Sequence, residues 1–274
     1  MTVEVLLTKG KEKIHSSEAK LLLANLLNCN PLELYNHLNE EVPSIIASKF
    51  LSQADQVRNK EPIQYVIGTS NFYGNIFTIN KNVLIPRFET EELVENTLNL
   101  MTSFFPNAKT VIDLGCGSGV IGLTIASKKP EVEVTLLDIS LEALEVAKEN
   151  AKNLHLNATF IASDMWEKVV SKYDVVVCNP PYIRTTDDLD DLVFKNEPHL
   201  ALFAGLDGLD CYRKFFNGIK DHLNKQYLIA LEIGSSQKEE VYSLLKLALP
   251  NSQVVIKSDL EGRDRMIFAY ETDK

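Results

Sequence analysis

The sequence predicts an α/β protein: a small N-terminal helical bundle, joined by a β-hairpin to a large domain built on a parallel sheet. Three observations predict it. From Phe88 onward, short apolar runs alternate with amphipathic helical stretches, and the runs are near-continuous, as in strands buried on both faces. The first sixty or so residues carry helical spacing only. Around Pro62 the composition becomes rich in Ile, Val, Phe and Tyr, with Gly74-Asn75 as a turn signal.

Taken in order, Ser17 reads as the N-cap of EAKLLLANLL, which Asn30-Pro31 ends. PLELYNHLNEEV and SIIASKFLSQADQVRNK continue with helical spacing and are separated near Pro43. IQYVIGTSNFYGNIFTINKNVLIPR reads as a hairpin followed by an extended segment. The expected divisions are a helical domain over 1–70, a hairpin connector over 71–85 and the large domain over 86–274. The helix FETEELVENTLNLM opens that domain. Strand TVIDL, a glycine-rich turn and helix VIGLTIASKK follow, then strand EVTLLDI and helix LEALEVAKENAKNL. Strands ATFIAS and YDVVVCN precede a long irregular segment, helix CYRKFFNGIKDHL, strand YLIALEIG and helix KEEVYSLLKLAL. The last strands, QVVIKSD and RMIFAYE, have no helix between them and are expected to form an antiparallel hairpin at one sheet edge.

Composition narrows the function. The 274 residues are 45% hydrophobic and 24% charged, an ordinary globular balance. Lys+Arg 28 against Asp+Glu 38 gives a formal charge of −10, which argues against broad adhesion to nucleic acid; no direct DNA binding is expected. The opening residues mix acids and bases without a long apolar core, and no apolar run approaches the ~20 residues of a membrane span. Neither a targeting peptide nor a membrane contact is expected. Cys29, Cys116, Cys178 and Cys211 form no C-x-x-C pair and the five histidines are scattered, so reduced thiols in a cytoplasmic protein, with no metal site, are expected.

The segment DLGCGSGVIGL places Gly115, Cys116, Gly117, Ser118 and Gly119 in a strand-to-helix turn. Glycines there permit a tight turn and a close approach of backbone to ligand. Asp138 ends the next strand, 138 − 119 = 19 residues past the last loop glycine, where a carboxylate can accept hydrogen bonds from both hydroxyls of a ribose. Beyond strand ATFIA, the segment SDMW suits an adenine pocket, with the Trp166 ring against the base and Asp164 near its exocyclic amine. These features leave the cofactor open between a nicotinamide dinucleotide and S-adenosylmethionine. A dinucleotide loop wants G-x-G-x-x-G. Here the third glycine comes one residue early, although Gly122 supplies a late one, so S-adenosylmethionine fits better.

Strand YDVVVC then stops at Asn179-Pro180-Pro181-Tyr182, at the sheet edge where such folds bind ligands. This cluster suits methyl transfer to a planar nitrogen. Such a nitrogen is a poor nucleophile because its lone pair is delocalised, and it carries two hydrogens that need acceptors. The Asn179 side-chain oxygen can take one and the Pro180 carbonyl the other, which turns the nitrogen toward the methyl group. The prolines stiffen the loop, and Tyr182 can pack on the planar target and exclude water. No strong base is obligatory.

This constellation resembles the class I S-adenosylmethionine-dependent methyltransferases with an NPPY motif, a Rossmann-like fold. PIQYVIG, NFYG, VLIPRFETEELV, DLGCGSGVIGL, SDMW, NPPYI, NEPHLALFAGLDGLDCYR, LEIG and DLEGRDR occur in the order seen in the release factor glutamine methyltransferase family. The resemblance runs from about Pro62 to the C-terminus. Phe88 departs from it, standing where that family usually has a second proline after IPR. The resemblance implies methylation of the side-chain N5 of the glutamine in the GGQ motif of class I peptide-chain release factors, with S-adenosylhomocysteine as co-product and no metal. It assigns Gly115 to Gly119, Asp138, Trp166 and Asn179 to the cofactor, and Asn179 to Tyr182 to the glutamine. Arg87, Glu89 and Glu91 serve either as a hinge held by ion pairs or as substrate contacts. The EPH…FAGLDGL stretch shapes the rim, with Asp207-Gly208 a turn, and the N-terminal helices bind the release factor away from its glutamine. The rivals are glutamine methylation of a ribosomal protein, N6-methylation of adenine in nucleic acid, and a silent binding module. Adenine methylation would demand a flipped base and a basic surface. An oxidoreductase lacks both the loop and a residue placed for hydride chemistry.

Overall fold

The computed structural model describes residues 1–272. The chain forms two compact units, one of Met1–Thr69 with Asp190–Asn196, the other of Ser70–Leu189 with the residues from Glu197 onward.

The first unit packs α1 (Val3–Lys11), α2 (Ser16–Leu27), α3 (Ser44–Arg58) and the single turn α4 (Ile63–Ile67). Leu6, Leu22, Leu23 and Phe50 are wholly buried at its centre. Each stabilises the bundle by about 1.5–3 kcal/mol. Gly10 lets α1 approach α3, because a Cβ there would lie 2.6 Å from the Phe50 ring. Three details differ from expectation. The N-cap of α2 is His15, not Ser17: the His15 ring accepts the Ser17 amide while Glu18 accepts the His15 amide at 2.9 Å, a reciprocal capping box. PLELYNHLNEEV holds only a 3₁₀ turn, Glu33–Asn36, since the Asn30 side chain takes the Leu32 amide and draws the backbone into a local turn. IQYVI is helical despite its β-branched residues. Pro62 precedes it, Gly68 ends it at φ 85°, and Gln53 donates to its Val66 carbonyl at 3.0 Å.

The hairpin of β1 (Thr69–Phe72) and β2 (Asn75–Thr78) follows, and the second unit starts at Ser70 within it. Its turn is centred on Tyr73-Gly74, both at positive φ, one residue before the predicted Gly74-Asn75. Next come α5 (Phe88–Phe104), β3 (Thr110–Leu114), α6 (Val120–Lys128), β4 (Glu133–Asp138), α7 (Leu141–Asn153), β5 (Thr159–Ala162) and β6 (Tyr173–Cys178). After α8 (Asp191–Asn196), which belongs to the first unit, follow α9 (Asp210–Gly218), β7 (Leu223–Glu232), α10 (Lys238–Ala248), β8 (Gln253–Ser258) and β9 (Asp264–Glu271).

The sheet order is β5-β4-β3-β6-β7-β9-β8, parallel except for β9, which runs antiparallel to both neighbours. This is the class I methyltransferase arrangement that the resemblance implied. The terminal hairpin is present, but its second strand lies inside the sheet. RMIFAY is buried throughout, whereas β8 is half-exposed and forms the edge. Val175 and Val177 face the layer of α5, α6 and α7; Val176 and Cys178 face α9 and α10. Burial on both faces explains the unbroken apolar strands. Register sets up the site: Leu114 pairs with Leu137 and with Cys178, and Cys178 pairs with Leu231. The next residues, Gly115, Asp138, Asn179 and Glu232, therefore reach the carboxyl edge at one level.

Candidate active site

From β3 the chain steps outward through β4 and β5, then returns to place β6 on the other side of β3. Such a switch point opens a crevice at the strands' carboxyl ends. Here it is a cavity of about 400 Å³, lined by the glycine loop, the end of β4, the turn after β5 and the segment after β6.

Gly115 and Gly117 sit at φ 68° and 54°, conformations costly for other residues. A Cβ at either would meet no atom within 4 Å, so the loop backbone borders open space, as a ligand cradle must. The loop is braced from three directions. The Cys116 amide donates to the Leu137 carbonyl at 2.9 Å, the Gly117 amide to Asp138 Oδ2 at 2.8 Å, and Asn150 Nδ2 to the Ser118 carbonyl at 2.9 Å. Asn150 also exchanges two hydrogen bonds with the Thr78 backbone, which ties the loop to β2. Asp138 Oδ1 accepts the Ser140 amide at 2.9 Å. Burial raises the Asp138 pKa, and the amides of Ser140 and Gly117 oppose that rise. Each oxygen keeps a lone pair for a ligand hydroxyl.

Asn179 and Pro181 line the same cavity. Asn179 Nδ2 donates to Thr90 Oγ1 at 3.1 Å, and that hydroxyl donates to Glu232 Oε2 at 2.7 Å. Pro180 is buried and Tyr182 half-buried; neither is part of the cavity lining. The Tyr182 phenol is pushed up to about 12, first by burial and then by the Glu232 charge beside it. Its carbonyl accepts Gln237 Nε2 at 3.0 Å, and Gln237 Nε2 also reaches the Gly208 carbonyl at 3.1 Å.

Residues 88–196 match the family described as "Methyltransferase small domain", and residues 4–68 match "PrmC N-terminal domain". A release factor glutamine methyltransferase of Bacillus cereus is 40% identical over 256 residues, covering 91% of this chain and 90% of its own length. The chain belongs to the release factor glutamine methyltransferase family. Its counterpart in Streptococcus pneumoniae is 38% identical, covering 96% of this chain and 94% of its own. Among solved structures, a methyltransferase of Pyrococcus furiosus shares the fold, with TM-score 0.52 and 15% identity over 81% of this chain and 99% of that one.

In this member of the release factor glutamine methyltransferase family, four of the predicted site residues stand outside the cavity lining: Gly119, Trp166, Pro180 and Tyr182. Trp166 is not part of the cavity wall. Its ring is buried against Phe215 and stacks on His222 at 4.8 Å, and its Nε1 donates to the Phe215 carbonyl at 2.7 Å. The indole N–H needed a partner and found one in α9, which draws the ring into the core. Gly218 makes room for it, since a Cβ there would lie 2.4 Å from the ring. Ser163, Asp164 and Met165 line the cavity in its place, Met165 at φ 46°. Asp164 is held 2.5 Å from Lys214 Nζ.

Gly119 stands behind the lining as the residue preceding α6. Gly122, the late glycine that kept a dinucleotide loop in play, lies within α6. A Cβ there would lie 2.4 Å from Leu136 Cδ2, and its amide donates to buried Asp113 Oδ2 at 2.9 Å. It serves helix–strand packing. Asp113 Oδ1 has no hydrogen-bond partner among the described residues, and burial lifts that carboxyl to about 7.

The segment after IPR makes ion pairs. Arg87 binds Glu197 at 2.5 Å, and Glu197 also accepts the Ile85 amide at 3.1 Å. Glu89 pairs with Arg263, and Glu91 accepts the Tyr73 amide. Phe88 is exposed. Pro198 and Leu200 of the rim stretch line the cavity, and Asp207 pairs with Arg213 beside the predicted turn. Sequence reasoning gave no role to Thr90, Asn150, Glu232 or Gln237, and placed Glu197 only within the rim stretch. One signal was visible: YLIALE ends an otherwise apolar buried strand on a carboxylate.

Proposed function

We propose that this chain transfers the methyl group of S-adenosylmethionine to the side-chain amide nitrogen of a glutamine, the one in the GGQ motif of class I peptide-chain release factors, in the cytoplasm. The observation that carries the reading is the meeting of the open glycine cradle, Asp138 and the Asn179 amide on one cavity at the switch point. The names of the relatives agree with it.

The backbone at Gly115 and Gly117 would face the cofactor's methionine part, Asp138 the ribose hydroxyls and Ser163 to Met165 the base. When bound, S-adenosylmethionine supplies an electrophilic methyl group whose leaving group is a neutral thioether. The rest of the chemistry falls to the chain. Asn179 Oδ1 accepts one hydrogen of the target amide and the Pro180 carbonyl the other, which holds the nitrogen in line and favours its pyramidal form. A nitrogen that has taken the methyl group would be acidic, so one of its two hydrogens would pass to solvent as the product leaves the site, and no base is needed among the cavity residues. Pro181 and the apolar rim at Leu200 exclude water from the target. Tyr182, standing behind Asn179, stiffens the acceptor loop through Gln237.

We assign residues 1–70 to recognition of the release factor, 71–85 to a connector and 86–274 to methyl transfer. The test is transfer of a labelled methyl group to a release factor. Labelling is expected with the intact GGQ motif and lost when its glutamine is replaced; equal labelling of the substituted factor, or labelling of adenine in its stead, would overturn the assignment.

A further inference from the structure

Behind Asn179 lies a chain of hydrogen bonds that has one consistent direction while Glu232 is ionised. Thr90, the third residue of α5, is 3% exposed, and Glu232, the last of β7, is 2% exposed. An ionised carboxylate can only accept hydrogen bonds, so the single hydrogen of Thr90 goes to Glu232 Oε2 at 2.7 Å. The Thr90 oxygen is then left with lone pairs alone, and it must receive a hydrogen, from Asn179 Nδ2 at 3.1 Å. The amide's nitrogen end is engaged inward, so its oxygen faces the cavity.

We propose that Thr90 and Glu232 are positioning residues for methyl transfer: they set the polarity of the Asn179 amide so that an acceptor, never a donor, meets the target nitrogen. The inference rests on the reading of Asn179 as an acceptor. With the relay broken, the two faces of the amide become alternatives. The turned amide presents N–H to the N–H of the substrate, a repulsive pair in a site from which water is excluded.

Protonation of Glu232 breaks the relay as well. A neutral carboxyl can donate to Thr90, whose hydrogen is then free to turn toward Asn179 Oδ1. Every group facing the carboxyl bears on this. The hydroxyls of Thr90 and Tyr182 and the Arg265 guanidinium favour the charged form, and Glu89 opposes it; burial dominates and lifts the group to about 7. The Cys178 thiol and the Tyr212 phenol lie near as well, both held neutral by burial, and the Tyr212 hydroxyl donates to the Glu232 backbone carbonyl at 3.0 Å. Turnover therefore falls as the pH drops through the Glu232 pKa.

The experiment uses the full chain carrying Thr90→Val, Thr90→Ser, Glu232→Gln or Asn179→Ala, with release factor as methyl acceptor. It measures kcat and KM across pH, calorimetric S-adenosylmethionine affinity and thermal unfolding. Thr90→Val keeps the shape and removes the hydroxyl; its kcat is expected to fall about tenfold or more while cofactor affinity stays within about twofold. Thr90→Ser recovers most of the loss. Glu232→Gln lowers kcat and removes the acid limb, whereas a limb due to Asp113 would survive that change. Native kcat in Thr90→Val beside an inactive Asn179→Ala overturns the relay and leaves the acceptor reading standing. An active Asn179→Ala overturns the acceptor reading itself. Equal impairment of Thr90→Ser and Thr90→Val marks packing rather than the hydroxyl, and so refutes the relay. If Thr90→Val does not fold, the pH profile of Glu232→Gln decides: an unchanged acid limb refutes the proposal.

Discussion

Replacing Asp138 by Asn tests how much of the cofactor site rests on one carboxylate. Both of its oxygens already accept amides, Oδ2 from Gly117 and Oδ1 from Ser140, at 2.8 and 2.9 Å. Asparagine offers one oxygen, so one of those amides must face an NH₂ group. Asp138 is only 8% exposed, which leaves little room for water to substitute. A hydrogen bond to a charged partner is worth about 1.5–3 kcal/mol, and each ~1.4 kcal/mol is a factor of ten in affinity. Loss of one such bond to a ribose hydroxyl, with a loosened loop, therefore weakens S-adenosylmethionine binding roughly 10- to 150-fold. Stability falls by less, because burial works against the charged form of Asp138 and the neutral amide relieves that cost. Calorimetric titration and thermal unfolding separate the two effects. A dissociation constant within twofold of the native value would show that Asp138 holds the loop and not the ribose.

Three further outcomes follow from the same structure. Trp166→Phe loses the 2.7 Å bond to the Phe215 carbonyl, so thermal unfolding should register about 1 kcal/mol of destabilisation while cofactor affinity is unchanged. A tenfold weaker affinity would put the ring back in the site. Gly122→Ala should destabilise by about 1–2 kcal/mol in denaturant unfolding, the crowding of Leu136 at 2.4 Å outweighing the ~1 kcal/mol helix preference for Ala. A stabilised variant would contradict the packing role. Asp113 has a folded-state pKa raised from 3.8 to about 7, so it favours the fold below pH ~4 and that contribution is lost as pH rises to about 7. Asp113→Asn should flatten this decline, worth roughly 4 kcal/mol at most. An unaltered stability profile between pH 4 and 7 would refute the assignment.

The parallel sheet and the ends of its strands were legible because burial on both faces writes itself as unbroken Val and Ile runs, and because Gly115, Asp138 and Asn179 each follow such a run. Register then brought them together without any signal beyond strand length. IQYVI misled because its β-branched residues read as strand, while Pro62, Gly68 and the bundle's apolar face decided for a helical turn. Trp166 misled for a different reason. Its position at the sheet edge was read correctly, but the direction of the ring depends on a carbonyl in α9, 49 residues later. The partners of Asn179 were hidden in the same way. Thr90 and Glu232 lie 89 residues before and 53 residues after it, since 179 − 90 = 89 and 232 − 179 = 53, and only the fold makes them neighbours.

The reversed strand β9 has a consequence for the order in which the molecule comes into being. Every residue that lines the cavity precedes it in the chain, yet it pairs with β7 as far as Glu232↔Met266, and the Ile233 amide donates to the Arg265 carbonyl at 2.8 Å. Until residues 264–271 leave the ribosome, β7 has an open edge and Glu232 lacks the neighbour that completes its burial. A nascent chain at that stage already carries the glycine loop, Asp138 and Asn-Pro-Pro-Tyr, but not the enclosed carboxylate behind them. The site is finished from the far end of the sequence, by a strand that contributes no residue to the cavity wall.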